Sequence, residues 1–244
     1  MLASENKTKN LLLISSSNVH GCGYLDHVEA DIYETLEGVE RVVFVPFALY
    51  DRDAYALKAA QRLDRMGFAL DSIHLSQSPR EMMEDARAIF IGGGNTFRLL
   101  KALYDYDLLS VIRRRVEQGV PFIGSSAGSI VACPSLKTTK DMPVVQPSSF
   151  DALHLVSFQI SPHYLDPGPN STHMGETQED RIMQFLEEND SPVVGLREGT
   201  LLRVRYGSIT LGGNRPARIF RRGQPPVEVL PGTDLTTDPA GEVQ

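Results

Sequence analysis

Short apolar runs recur along the chain, separated by longer and more polar segments. The runs lie at residues 11–14, 42–45, 73–75, 88–91, 122–123 and 193–196. Continuous apolar runs of this length are typical of strands that are buried on both faces of a sheet. The pattern therefore predicts a mostly parallel sheet.

Between these runs, apolar residues recur at every third or fourth position, which is the spacing of one face of an α-helix. The spacing is clearest in residues 55–66 and 108–116, and a further helix is predicted at 97–104. Strands that alternate with helices favour an α/β fold with an open, doubly wound sheet and helices on both faces.

After residue 196 the pattern changes to short strands separated by turns, at residues 200–205, 207–211 and 217–220. This pattern indicates a C-terminal antiparallel extension of the sheet rather than a separate domain. We predict a single α/β domain over residues 1–232. The polar residues 233–244 are predicted to form a disordered tail.

Composition and charge exclude several classes of protein. The 24 Lys and Arg residues against 31 Asp and Glu give a net charge of −7, so we expect no nucleic-acid or anionic-membrane partner. No segment approaches the roughly 18 consecutive apolar residues of a membrane span. The two cysteines lack the spacing of a zinc site. We expect a cytoplasmic protein without a metal, and the sequence leaves a homo-oligomer open.

The first chemical signal is the sequence G-S-S-A-G at residues 124–128, directly after an apolar run. The spacing G-x-S-x-G is that of a nucleophile elbow, in which a serine lies on a sharp turn between a strand and a helix. Ser126 has the central position. A glycine- and serine-rich turn that only closes a buried strand gives the same pattern. The choice between a nucleophile and a structural turn therefore depends on whether the chain also offers a base, an acid and oxyanion-binding amides.

A serine hydroxyl needs a neighbouring base to become a nucleophile. His163 is the strongest candidate, because it follows an apolar stretch that is broken by Pro162 and should emerge at a strand end. His20 also follows a strand and is the rival candidate.

The base needs an acid to orient it. The candidates are Asp141, Asp151, Glu176 and Glu198, and of these Glu198 lies at a strand end beside a turn. The chain order Ser126, His163, Glu198 differs from the order serine, acid, histidine of α/β-hydrolases. That fold is therefore excluded.

An acyl transfer also needs backbone amides to bind the negative oxygen of the tetrahedral intermediate. The amide of Ala127, directly after the nucleophile, is one candidate. The second should come from the glycine run at residues 92–94, which follows a predicted strand. The structural alternative is a flexible turn in which Asn95 or Thr96 caps the next helix.

Seven short segments of the chain together resemble a known family of enzymes. They are VPFA at 45–48, IGGGNTF at 91–97, GSSAG at 124–128, TTKDMP at 138–143, QISPH at 159–163, GET at 175–177 and GLREG at 195–199. In this order they resemble the peptidase E family of α-aspartyl dipeptidases. These are serine peptidases on the flavodoxin-like fold of class I glutamine amidotransferases, so the resemblance implies that fold for this chain.

The resemblance implies Ser126 as the nucleophile, His163 as the general base and acid, and Glu198 as the orienting carboxylate. It also implies an oxyanion hole formed by the amides of Gly94 and Ala127. The resemblance implies release of an N-terminal aspartate from Asp-X dipeptides without a metal or cofactor.

Two positions depart from the family pattern. Ser125 stands where bacterial members often have tryptophan, which is expected to alter the pocket wall. Gln178 stands where those members tend to have arginine, although an aspartate pocket needs a cation. The other candidate substrate-binding residues are Arg181, Arg197, Asn95 and Asp141, of which Asp141 is also a candidate for stabilising its own loop.

Two other functions remain open from the sequence. One is a cyanophycinase-like or isoaspartyl peptidase, or an amidase, on the same scaffold. The other is a non-catalytic, ligand-binding member of the family in which the elbow at residues 124–128 is only structural.

Overall fold

The computed structural model of the protein describes residues 8–166, 168 and 174–236. Strands and helices alternate in this part of the chain, as the apolar pattern predicts. The strands are β1 Asn10–Ile14, β2 Arg41–Val45, β3 Ala69–Ser72, β4 Ile89–Ile91, β5 Phe122–Ser125, β6 Gln159–Pro162, β7 Val193–Leu196, β8 Thr200–Arg205, β9 Ser208–Gly213, β10 Ala217–Phe220 and β11 Val227–Val229. The helices are α1 Glu29–Thr35, α2 Arg52–Arg65, α3 Pro79–Glu84, α4 Thr96–Asp105, α5 Leu109–Glu117, α6 Ala127–Ala132 and α7 Gln178–Glu188.

Seven strands form the main sheet, in the order β3-β2-β4-β5-β1-β8-β9. The first five in this order are parallel, and β8 and β9 extend the sheet in antiparallel fashion beside β1. The strand β5 lies between β4 and β1, so the carboxyl ends of these three strands meet at one edge. Ligands of open α/β sheets bind at such an edge, where the strand order reverses.

The main sheet separates two hydrophobic cores, because successive side chains of a strand point to opposite faces. Leu11 and Leu13 of β1 belong to one core, together with residues of α4, α5 and α6. Leu12 and Ile14 belong to the other, together with α1 and α2. The helices therefore cover both faces of the sheet, as the sequence predicts.

The four remaining strands form a second sheet, in the order β11-β10-β7-β6. Its strands β6 and β7 are parallel and pack with Ile160 and Leu196 against the core that contains α6. The predictions that residues 193–196 belong to the main sheet and that residues 217–220 extend it were therefore wrong. A buried apolar run looks the same in either sheet, because hydropathy does not reveal the neighbouring strand.

Two further predictions need correction. Residues 73–75 form a short 3₁₀ turn after β3, rather than a strand. Residues 233–236 are packed rather than disordered, because Leu235 is fully buried and its N–H donates to the carbonyl oxygen of Ile209. The rest of the predicted tail, residues 237–244, lies outside the described residues. No helix in the described part of the chain is long and apolar enough to cross a membrane.

Candidate active site

The backbone turns sharply at Ser126, directly after β5. Its φ of 52° and ψ of −108° are rarely adopted by L residues. The flanking glycines make the turn possible, because a Cβ on Gly124 would lie 2.6 Å from the carbonyl oxygen of Gly128, and one on Gly128 would overlap the carbonyl oxygen of Ile91. The turn exposes the Ser126 hydroxyl to a cavity at the carboxyl edge of the main sheet.

Three polar side chains form a continuous chain of hydrogen bonds at this edge. Ser126 Oγ lies 2.9 Å from His163 Nε2, and His163 Nδ1 lies 3.1 Å from Glu198 Oε1. A carboxylate only accepts, so Nδ1–H donates to Glu198 and leaves Nε2 of the neutral ring to accept the Ser126 proton. The arrangement is that of a serine nucleophile, its base and an orienting acid.

The base and the acid come from the second sheet, since His163 follows β6 and Glu198 lies just after β7. Ser15, at the end of β1, fixes them to the main sheet. Its hydroxyl accepts from the N–H of His163 at 2.9 Å and donates to the carbonyl oxygen of Leu196 at 2.8 Å. Sequence reasoning missed Ser15, although a hydroxyl directly after a buried strand is a recognisable signal.

Lys140 supports the same segment and was also missed. Its ammonium donates to the carbonyl oxygens of Pro162 and His163, at 2.7 and 3.2 Å, and to Gln178 Oε1 at 3.2 Å. Burial lowers the pKa of Lys140 to about 8, although Asp141 opposes this shift. The backbone that carries His163 is thus held by a partly buried lysine.

The loop after β4 lies against the nucleophile. A Cβ on Gly93 would lie 3.1 Å from the Ser126 Cβ, and one on Gly94, whose φ is 134°, would lie 2.7 Å from the carbonyl oxygen of Ala48. The N–H groups of Gly94 and Ala127 have no acceptor among the described residues. Both amides are therefore available to bind an oxyanion.

The cavity in front of Ser126 has a volume of about 740 Å³. Gly93, Gly94, Asp141 and His163 line it on the catalytic side. The loop after β1 and the start of α2 supply much of the remaining wall, and three of these residues were not selected from the sequence: Tyr24, Tyr55 and Lys58. In the described part of the chain, no cluster of His, Cys, Asp or Glu side chains has the composition of a metal site.

Residues 11–212 match the model of peptidase family S51. The chain belongs to this family. It is 50% identical to a Streptomyces coelicolor protein named peptidase E, over 93% of each chain. It is 45% identical to a Drosophila melanogaster protein named probable alpha-aspartyl dipeptidase, over 93% of this chain and 96% of that one. The predicted resemblance to the peptidase E family is thus confirmed.

Two solved structures share the fold of this S51 peptidase. A peptidase from an acI-B1 actinobacterium has a TM-score of 0.71 and 18% identity, over 95% of this chain and 99% of its own. A Listeria monocytogenes protein described as a putative peptidase E has a TM-score of 0.63 and 24% identity, over 84% and 98%. At this level of identity the likeness concerns the fold alone, and it confirms the predicted α/β architecture.

Asn95 and Asp141 have structural partners in this S51 peptidase. Asn95 caps α4, because its Oδ1 accepts from the N–H of Arg98 at 3.0 Å, and its amide donates to the carbonyl oxygen of Met142 at 2.8 Å. Asp141 Oδ2 accepts from the N–H and the hydroxyl of Thr96, at 2.7 and 2.6 Å. Asp141 reaches the cavity, whereas Asn95 lies outside its lining.

Three candidate specificity residues do not line the cavity of Ser126. Gln178 Oε1 accepts from Lys140 and from the N–H of Leu165 at 3.0 Å. Arg181 is exposed and lies 3.7 Å from Glu176. The third, Arg197, is surrounded by acceptors.

All five N–H groups of the Arg197 guanidinium are used within the protein. They donate to Asp166 at 2.8 and 2.6 Å, to Glu228 at 2.9 and 2.8 Å, and to the carbonyl oxygen of Pro216 at 2.8 Å. Hydrogen bonds to the two carboxylates hold the pKa of Arg197 above its ordinary value. Arg197 has no donor left for a substrate.

The remaining candidates lie elsewhere. His20 is exposed and does not line the cavity, whereas His163 contacts Ser126. Asp151 pairs with Ser135 in an isolated bridge. Ser125 is fully buried in β5, and its Oγ has no hydrogen-bond partner in the described structure. The expectation that Ser125 forms part of the pocket wall was therefore wrong, because neighbouring residues of a strand point to opposite faces.

Proposed function

We propose that this S51 peptidase is a serine exopeptidase that hydrolyses dipeptides with an N-terminal aspartate. The observation that carries the proposal is the chain of hydrogen bonds from Ser126 through His163 to Glu198, beside two free amides. The substrate class is supported by the name of the Drosophila relative, probable alpha-aspartyl dipeptidase.

In the first half of the reaction, His163 Nε2 takes the proton of Ser126 while Oγ attacks the carbonyl carbon of the aspartyl residue. The amides of Gly94 and Ala127 donate to the oxyanion of the tetrahedral intermediate. The C–N bond then breaks, and His163 returns the proton to the leaving amine. An ester between aspartate and Ser126 remains.

In the second half, water takes the place of the leaving amine. His163 removes a proton from the water, the hydroxide adds to the ester carbonyl, and Ser126 leaves with the proton that His163 returns. Free aspartate is released. Glu198 accepts from Nδ1–H throughout and stabilises the imidazolium that forms twice in each cycle.

The free amino group of the substrate needs an acceptor. Asp141 lines the cavity, and its hydrogen bonds to Thr96 and Thr139 all use Oδ2. Its Oδ1 has no donor among the described residues. We therefore assign Asp141 to the ammonium group of the N-terminal aspartate.

We also propose a cytoplasmic location, a compartment in which thiols stay reduced. Cys22 and Cys133 are both free, and Cys22 is exposed.

The experiment that tests the function is the substitution Ser126→Ala, measured with Asp-Leu and with aspartyl-p-nitroanilide. We expect kcat/KM to fall by about 10⁴-fold or more, because the covalent step is lost. Circular dichroism should be unchanged, and the neighbouring Ser125→Ala serves as the matched control with retained activity.

The other functions predict different results in the same assay. A cyanophycinase-like or isoaspartyl enzyme would cleave β-aspartyl-leucine or β-aspartyl-arginine in preference to Asp-Leu. A non-catalytic protein would show no turnover that depends on Ser126. Either result would overturn the proposed function.

A further inference from the structure

One wall of the catalytic cavity carries a positive charge that the reaction described above does not use. Lys58 of α2 lines the cavity with Ser126 and is the only lysine or arginine among the described residues of its lining. It shares one helical face with Asp51, Ala54 and Tyr55. Asp51 lies three and four residues before Ala54 and Tyr55, and Lys58 lies four and three residues after them. All four line the cavity.

The charge of Lys58 is not neutralised by any described residue. Among the described residues it forms no ion pair, and its ammonium lies 4.5 Å from the centroid of the Tyr24 ring. A cation above an aromatic face is held in place while its N–H groups stay available. Lys58 therefore offers the cavity a positioned ammonium that can still bind an anion.

A hydrogen bond connects this wall to the glycine loop after β4, residues 92–94. The Tyr55 hydroxyl, one helical turn before Lys58, accepts from the N–H of Gly93 at 2.8 Å. Gly93 in turn lies against Ser126, as described above. Lys58 thus approaches the nucleophile from the side of α2 and the glycine loop.

His163 approaches the cavity from the other face of the main sheet. Tyr24 and Tyr55 belong to the core that contains α1 and α2. Ile160 of β6 and Leu196 of β7, which flank the base and the acid in sequence, belong to the opposite core. The elements that carry Lys58 and His163 therefore pack on opposite faces of the main sheet, whose strand β5 leads into Ser126.

This arrangement separates the two halves of a substrate. His163 protonates the leaving amine, so the leaving residue lies on its side, whereas the acyl residue crosses the cavity, with its ammonium group at Asp141 and its side chain toward α2. We infer that Lys58 binds the side-chain carboxylate of the N-terminal aspartate. The inference rests on the proposed function and gives the aspartate pocket a cation that Gln178, Arg181 and Arg197 do not supply.

The test is the substitution Lys58→Met, which keeps most of the aliphatic stem and removes the charge. We expect kcat/KM for Asp-Leu to fall about 10- to 100-fold, which is the range for loss of a charge-assisted hydrogen bond. The value for Asn-Leu should change less than threefold, so the preference for Asp over Asn is lost. Lys58→Arg should restore it.

A second substrate distinguishes the two carboxylates of a dipeptide. Aspartyl-p-nitroanilide has the side-chain carboxylate but no C-terminal carboxylate, and we expect Lys58→Met to reduce its kcat/KM as much as that of Asp-Leu. If only Asp-Leu were affected, Lys58 would bind the C-terminal carboxylate and the inference would be overturned. Equal losses for Asp-Leu and Asn-Leu would overturn it as well.

Lys101→Met is the matched control, because the Lys101 ammonium already pairs with Asp105 at 2.6 Å. This variant should keep the preference for Asp. Failure of the proposed function and failure of the inference give different results. If the proposed function fails, the unsubstituted enzyme shows no Ser126-dependent hydrolysis of Asp-Leu. If the inference fails, hydrolysis persists and its preference does not depend on Lys58.

Discussion

Two adjacent serines of the elbow have opposite environments. Ser126 lies on the turn and faces the cavity, whereas Ser125 is the last residue of β5 and is fully buried. The Ser125 hydroxyl has no partner in the described structure. A buried hydroxyl without a hydrogen bond costs about 1–3 kcal/mol of stability.

We therefore predict that Ser125→Ala stabilises the protein. The free energy of unfolding should rise by about 1 kcal/mol, because the unpaired group is removed at small cost in volume. Urea denaturation measures the change, and kcat/KM for Asp-Leu should stay within twofold. A loss of activity in a stable variant would mean that Ser125 does shape the site.

Among single residues, those that directly follow a strand could be predicted from the sequence. Ser126, His163 and Glu198 were found because each follows a recognisable apolar run. Lys58 was not found, because a lysine on the exposed side of an amphipathic helix looks like any surface lysine. Arg197 was selected because an aspartate pocket needs a cation. Its partners Asp166 and Glu228 are distant in sequence, so no local pattern shows that its guanidinium is already paired.

At the scale of elements, Arg197 connects three parts of the second sheet. It follows β7 and holds Asp166, after β6, and Glu228 of β11. Its side chain is only 8% exposed, while the two carboxylates are about half exposed. Arg197 precedes the catalytic acid directly, so the same contacts fix the end of β7 that carries Glu198.

Arg197→Met should destabilise the protein by about 2 kcal/mol, because a buried cation with several charge-assisted hydrogen bonds is lost. Thermal or urea denaturation provides the measurement. Arg181→Met is the control, since this exposed arginine should change stability by less than about 0.5 kcal/mol. If Arg197→Met instead removed the preference for Asp over Asn and left stability unchanged, Arg197 would be a substrate-binding residue.

The elements themselves were predicted well where burial was complete. The strands β1, β2, β4 and β5 are continuous apolar runs, and their positions follow from that alone. The edge strand β3 is half exposed, so its own residues give no such run and the prediction fell on residues 73–75. The assignment of β7 to a second sheet depends on β6 and β10, which no local pattern reveals.

For the molecule as a whole, Lys140, the partly buried lysine that holds the His163 backbone, couples stability to pH. The pKa of Lys140 in the folded protein is about 8, and its ordinary value is 10.5. Between these values the unfolded chain holds a proton that the folded protein has lost. The free energy of unfolding therefore gains a contribution that increases with pH over this range.

We predict that the stability of the unsubstituted protein, relative to Lys140→Met, increases between pH 7.5 and pH 9.5. The comparison cancels the titration of every group that the two proteins share. Urea denaturation at several pH values gives the difference in the free energy of unfolding. A difference that stays constant over this range would show that the folded protein does not lower the Lys140 pKa.

The division of the catalytic residues between two sheets makes the site modular. The main sheet supplies the atom that attacks and the amides that hold the oxyanion, and the second sheet supplies the pair that moves protons. Variation at the elbow can thus exchange one nucleophile for another while the proton relay is inherited unchanged. The cavity wall formed by α2, which carries Lys58, is a third, separate part of the site. Selectivity for the acyl residue can therefore evolve without altering the reaction.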